Sequence, residues 1–217
     1  MVIEFKPFNA GFEECLKEFK DYFINETFAE EIKLAKEEFT NSGIDLNEGE
    51  NYEERLSIFF DWYLFDRPLS DTNLTPVRYF VETLSNKGDI YDGFSKTIQS
   101  IFVIKRRGIG YVKVKDMFTR KKYIVNGDNL IGFEKRDIME ARLIPFERSY
   151  RFSETFCFYP DDIKTMLKKE IKEAKKQEEA DFYPVLLKFR RLKTMSERFT
   201  RMDIKKVYTL MEEGLLA

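Results

Sequence analysis

Ile101-Phe-Val-Ile-Lys-Arg-Arg-Gly-Ile-Gly-Tyr-Val-Lys-Val-Lys-Asp116 is the stretch where the hydrophobic period of this chain changes from helical to two. Val112 and Val114 alternate with Lys113 and Lys115, so the valines share one face of a strand and the lysines the other. Tyr123 and Val125 continue the alternation after a Thr119-Arg120-Lys121-Lys122 turn. Further on, Tyr150, Phe152, Phe156 and Phe158 fall on one face, with Arg151, Ser153, Thr155 and Cys157 opposite. This pattern predicts five strands, at 101–107, 109–117, 122–126, 137–145 and 150–158. Gly108, Gly127 and Gly132 mark the short connections. Short strands joined by tight turns predict a small β-barrel of SH3-like or OB-like type.

Upstream the period is helical. Phe8, Phe12, Phe19 and Phe23 fall near one helical face, and Phe28, Ile32, Ala35 and Phe39 on a second. Asn41-Ser42-Gly43 ends that second helix, and a polar loop runs to Asn51. A third helix, from about Tyr52 to Phe65, is apolar nearly all round and is expected at the centre of a core. Asp66-Arg67-Pro68 stops it. Thr75 is placed to cap the next helix, with Pro76 at its first position. A further helix with Tyr91, Phe94 and Ile98 inward is expected before the barrel. Past the barrel, Pro160-Asp161-Asp162 opens a charged helix with Ile163, Leu167, Ile171 and Ala174 as its apolar stripe. Two more helices are expected at about 183–198 and 203–214. The expected class is α+β in three parts: an acidic helical domain 1–100, a basic barrel 101–160 and C-terminal helices 161–217 packing back on both.

The charge follows the same division. Residues 1–100 carry 10 basic and 21 acidic side chains, a net of −11, whereas 101–160 carry 13 and 7, a net of +6. Such asymmetry bears on partners and encounter rather than on fold. It points either to a polyanion site on the barrel or to two parts of the chain neutralising each other. With 43% hydrophobic and 35% charged residues, and 22 Phe to bury, the chain is globular rather than disordered. Cys15 and Cys157 stand alone in different segments and read as buried thiols of a reducing compartment. With two cysteines and no histidine, the common Cys/His zinc frameworks and the Ser-His-Asp and Cys-His triads are excluded. No cofactor or metal is expected. Met1-Val-Ile-Glu-Phe-Lys-Pro7 lacks the basic-then-apolar pattern of a leader, and Ile58 to Phe65, broken by Asp61, is too short for a bilayer. A cytoplasmic protein with no membrane partner is the expectation.

The segment Arg55-Leu-Ser-Ile-Phe-Phe-Asp-Trp-Tyr-Leu-Phe-Asp-Arg67, with Thr75-Pro76 after it, resembles a segment of little-characterised bacterial proteins. In them a similar helical part precedes a barrel whose strands read like Gly110-Tyr-Val-Lys-Val-Lys-Asp116, Tyr123-Ile-Val125 and Asp137-Ile-Met-Glu-Ala-Arg-Leu-Ile-Pro145. The resemblance covers roughly residues 50–160. Some of those proteins carry a SEC-C-type zinc tail, and this chain has no Cys-rich tail. The resemblance implies the architecture and carries no established activity.

The principal candidate site is basic. Lys105, Arg106, Arg107, Lys113, Lys115, Arg120, Lys121 and Lys122 cluster on neighbouring strands and a turn, and Tyr111 and Tyr123 add stacking surfaces for unpaired bases. This favours a non-enzymatic module contacting RNA or DNA phosphates. The alternative is a protein-interaction module whose basic strands stay soluble or dock on the acidic helices. Asp61 and Asp66, at i and i+5, sit on different helical faces and read as structural, as does Trp62. Asp61 within an apolar run needs a cationic partner, and an arginine such as Arg55 or Arg78 is expected to supply it. A third reading, a metal-dependent hydrolase, would use Asp116 or Asp128 with Glu140. Gly108-Ile109-Gly110 lacks the lysine-serine ending of a phosphate loop and is better read as a strand turn. On Lys188-Phe-Arg-Arg-Leu-Lys193, Val185, Leu186, Phe189 and Leu192 are expected inward and the basic residues outward.

Overall fold

Strands β1 (Ile98–Gly108), β2 (Tyr111–Asp116), β3 (Lys122–Asn126), β4 (Ile138–Phe146) and β5 (Ser149–Tyr159) close into a barrel in the order β1-β2-β3-β5-β4. The structure, a computed structural model, describes residues 11–47, 51–84, 90–127, 130–177 and 181–216. All neighbouring strands are antiparallel except β3 and β5, which meet in parallel at Val125 and Tyr150. Phe102, Ile104, Val112, Val114, Val125, Met139, Ala141, Leu143 and Phe152 fill the interior. The valines of the Val112-Lys-Val-Lys115 alternation therefore point in, and its lysines out.

The alternation in β5 survives an irregularity that sequence does not show. Between the pairs Ala141–Phe156 and Leu143–Phe152, β4 has only Arg142 where β5 has Ser153, Glu154 and Thr155. Two extra residues, an even number, leave Phe152 and Phe156 on the same face. Glu154 takes the left-handed conformation (φ 70°) that such a bulge demands.

Helices cover one side of the barrel. They are α1 (Phe12–Phe23), α2 (Ala29–Asn41), α3 (Tyr52–Phe65) and the short α4 (Pro76–Tyr79) before it, then α5 (Lys164–Ala174), α6 (Tyr183–Arg198) and α7 (Ile204–Glu212) after it. The Thr75 hydroxyl accepts from the Arg78 N–H at 3.4 Å, and α4 runs on into one π-helical turn, Phe80–Leu84. Cys15, Leu16, Phe19 and Phe23 of α1 are buried in one core with Phe59, Tyr63 and Leu64 of α3, Ile101 of β1, Ile144 of β4, and Leu167, Phe189 and Val207 of the later helices. Of the aromatic stripe expected on the first helix, Phe8 lies outside the described residues. Strand β4 is buried on both faces: Met139, Ala141 and Leu143 toward the barrel, Ile138, Glu140, Arg142 and Ile144 toward the helices.

The expected helix around Tyr91, Phe94 and Ile98 is replaced by one 3₁₀ turn, Asp92–Ser95, and Ile98 opens β1 instead. Gly93 there sits so close to the β4 backbone that a Cβ would stand 1.8 Å from the Pro145 carbonyl oxygen. A continuous helix would carry side chains into that contact.

Arg67, 5% exposed at the end of α3, gathers Glu31 and Glu38 of α2, with Glu38 Oε2 2.7 Å from its Nε. The Arg67 hydrogen bond holds the Glu38 carboxyl below the usual range. A depressed folded-state value contributes stability at pH above the ordinary glutamate range and loses it as the pH falls through the folded value. Arg67→Met is therefore expected to lower stability at neutral pH and to flatten the acid limb of its pH profile. Urea midpoints between pH 7 and 3 measure this, and an unchanged acid limb would show that the pair contributes nothing.

Candidate nucleic-acid interface

Strands β1, β2 and β3 present their outer side as three cross-strand rows. Gly108, Tyr111 and Asn126 form the first, Arg106, Lys113 and Ile124 the second, and Val103, Lys115 and Lys122 the third. The pairing slips between Ile104 and Arg106, so Lys105 is an extra, exposed residue of β1 beside Arg106. The hairpin turns through Ile109 and Gly110, whose φ of 71° suits glycine. Arg107 is exposed at the end of that hairpin, and Arg120 (φ 68°) and Lys121 are exposed on the β2–β3 turn.

Lys105, Arg106, Arg107, Lys113, Arg120, Lys121 and Lys122 are exposed and Lys115 is half-buried, and among the described residues none of these cations has a carboxylate within ion-pair distance. They press on one another instead. The charge of Arg120, with partial desolvation and then Lys105 and Lys122, lowers the Lys115 ammonium from its ordinary range. Two further cations, Lys135 and Arg136, are exposed on the approach to β4, where the Arg136 N–H donates to the Ile104 carbonyl at 2.9 Å. Sequence reasoning missed this pair because its neighbourhood is set by the barrel closing β4 onto β1.

The two tyrosines part company. Tyr111 lies on the outer side, where its ring crosses Gly108: a Cβ on that glycine would stand 2.3 Å from Tyr111 Cε1. Tyr123 pairs with Val114 and turns inward, edge-on to Phe102 and Tyr150 at 6.2 and 5.1 Å. It offers no outward stacking surface, a correction that follows from its sharing the register of Val114 and Val125.

Two carboxylates of the acidic half are held by an arginine of the barrel. Asp61 lies 2.8 Å from Arg142 Nε, and Asp66, on the residue that ends α3, lies 2.5 Å from Arg142 Nη2. Neither Arg55 nor Arg78 partners Asp61, since Arg55 pairs with Glu197 at 3.2 Å and Arg78 with Glu82 at 3.0 Å. The i, i+5 spacing that separates the aspartates on a helical wheel is bridged by one forked guanidinium arriving from β4. Arg142 also donates to Thr97 and Gln99, and Gln99 donates to Glu140 at 2.9 Å. Glu140 in turn accepts from Arg190 Nε at 2.9 Å and from the Tyr159 hydroxyl at 3.1 Å. Trp62 packs on Phe39 at 5.3 Å, half-buried.

The basic run of α6 is also turned inward, against expectation. Arg190 is buried on Glu140, Lys188 pairs with Glu170 and Glu212, Lys193 with Glu54, and Arg191 donates to the Ser42 carbonyl. Acceptors on β4, on α5 and α7, on α3 and at the end of α2 draw these side chains in from around the helix.

Asp116 is consumed by its own turn. Its Oδ1 accepts from the Ser100 hydroxyl at 2.7 Å and the Phe118 N–H at 2.8 Å, and its Oδ2 from the Thr119 hydroxyl at 2.6 Å. Glu140 is spent on Arg190, and Asp128 lies outside the described residues. Among the described residues no three His, Cys, Asp or Glu side chains gather as a metal-binding set. No helix there is long and apolar enough to cross a membrane.

Together these features define a helix-clad, five-stranded β-barrel protein with an open cationic strand face. The chain belongs to a family of unknown function, DUF7986, which matches residues 14–183. The match runs through the N-terminal helices and the whole barrel. No curated protein and no solved structure shows significant similarity to the chain.

Proposed function

We propose that this protein is a non-enzymatic cytoplasmic binding module that holds RNA or DNA by its phosphates on the β1–β2–β3 face. The observation that carries this reading is a set of exposed cations with no carboxylate partner among the described residues, while Glu31, Asp45, Glu54 and Asp61 of the acidic half pair with Arg67, Arg198, Lys193 and Arg142. Keeping like charges together costs energy that a polyanion would return. Contacts to phosphate are indifferent to sequence and strongly dependent on salt. Small barrels commonly present such faces to oligonucleotides, a fold-level analogy.

Fluorescence anisotropy with labelled RNA and DNA at low and moderate salt tests the reading. Wild type is expected to bind with an affinity that falls as salt rises. Lys113→Glu/Lys115→Glu is expected to bind far more weakly, with a logarithmic salt slope shallower by about 1.4–1.8 if each lysine meets one phosphate. Both side chains lie on the outer side, so the variant should melt within a few degrees of wild type. Absence of binding at low salt, or full binding by the folded double variant, would sink the proposal.

A further inference from the structure

We infer that the nucleic acid taken by this face is single-stranded, with an unpaired base stacked on Tyr111 beside Ile124. This rests on the reading that the face binds nucleic acid, and it names which kind. The Tyr111 ring is laid across the Gly108 main chain, a position open only because residue 108 has no Cβ. The seat holds the ring against the sheet instead of standing it out toward solvent. In the next row lie Lys113 and Ile124, the latter an isoleucine 48% exposed, and in the third Lys115 and Lys122. Aromatic and apolar surface is thus set inside a field of cations along the strands.

A duplex keeps its bases stacked on one another and offers this face only phosphates. A ring lying against a sheet does not reach base edges in a groove, whereas an unpaired base can settle on it face to face. Gly108 is on this account a positioning residue, and Tyr111 the one that touches ligand. With Tyr123 turned inward, the stacking surface on these strands is Tyr111, so the loss on its removal should be concentrated at one side chain.

The test compares oligouridylate and oligodeoxythymidylate with a duplex hairpin of equal charge, and uses polyglutamate as a competitor that has charge but no bases. Tyr111→Ala is expected to weaken binding of the single strands by roughly 5- to 150-fold, the range of one base–aromatic stack, without changing the salt slope. Tyr111→Phe should keep the affinity. Gly108→Ala should reproduce much of the loss, because the ring must swing off its seat. Duplex binding should be weaker than single-strand binding and indifferent to Tyr111→Ala.

The failures are distinguishable. Loss of binding in Lys113→Glu/Lys115→Glu with full single-strand binding by Tyr111→Ala would overturn the stacking inference and leave phosphate binding standing. A duplex held as tightly as a single strand would do the same. Polyglutamate competing as well as the oligonucleotides would overturn both readings.

Discussion

Arg142→Ala is expected to destabilise the fold by about 3–5 kcal/mol, the cost of removing one partner from a buried ion pair. At roughly 2–4 °C per kcal/mol for a chain of this size, the melting temperature should drop by roughly 6–20 °C. Arg142 is 3% exposed, and its guanidinium lies between the barrel and α3, answering Asp61 and Asp66 and resting 4.7 Å from the Phe65 ring centre. Its removal leaves Asp61, 5% exposed, without its cation and opens a cavity beneath α3. The loss belongs to the uncompensated carboxylates rather than to the worth of the pair itself. Arg142→Met/Asp61→Leu/Asp66→Asn should therefore recover most of the stability. Calorimetric melting of the single, the triple and the wild type decides this. A triple variant as unstable as Arg142→Ala would mean that packing and the Thr97 and Gln99 hydrogen bonds carry the energy, not charge.

Gly93→Ala is the second large effect, and it arises from a single methyl group. The added Cβ would meet the Pro145 carbonyl oxygen at 1.8 Å and its carbon at 2.8 Å, and neither backbone atom can rotate away. The 92–95 turn must lift off β4, loosening Tyr91 and Phe94, which are 3% and 1% exposed in the helix-side core. The expected cost is at or above the upper end of the ~1–3 kcal/mol typical of overpacking. Gly110→Ala is the instructive control. Unlike Gly93 it has a glycine conformation, φ 71°, yet nothing lies within 4 Å of a Cβ there. Only backbone strain is at stake, about 1–2 kcal/mol. Urea unfolding should rank Gly93→Ala as the more damaging, and the reverse order would show that the turn can move off β4 freely.

Much of the fold is legible in local periodicity. The strand expected at 122–126 is found at those residues, and the others at 98–108, 111–116, 138–146 and 149–159. Period-2 alternation survives folding here because the valines and phenylalanines have an interior to fill. The helix expected from Tyr91 to Ile98 failed for the opposite reason. Tyr91 and Phe94 are buried as expected and Ile98 is half-buried, but the Gly93–Pro145 contact that breaks the helix joins residues 52 positions apart, and no local pattern reports it. The basic face was visible as a run of residue types. Which of its two tyrosines faces outward depended on register: Tyr123 shares its side with Val114, whereas Tyr111 is seated on Gly108.

Local alternation of apolar and polar residues is enough to dictate the barrel, its helical flanks and the outward direction of Lys113 and Lys115. Those depend on side chains two to four positions apart, whose directions the backbone period sets. Tertiary structure alone decided which charges are spent. Arg142 and Arg190 look no different in composition from Arg106 or Lys113, yet the first two are buried on carboxylates from other elements and the last two are left open. A buried ion must find its partner through space, and the closing of β4 beneath α3 and α6 brings those partners together. The cations left over, on the exposed stretches of β1, β2 and β3 and the turn between β2 and β3, make up the open basic face.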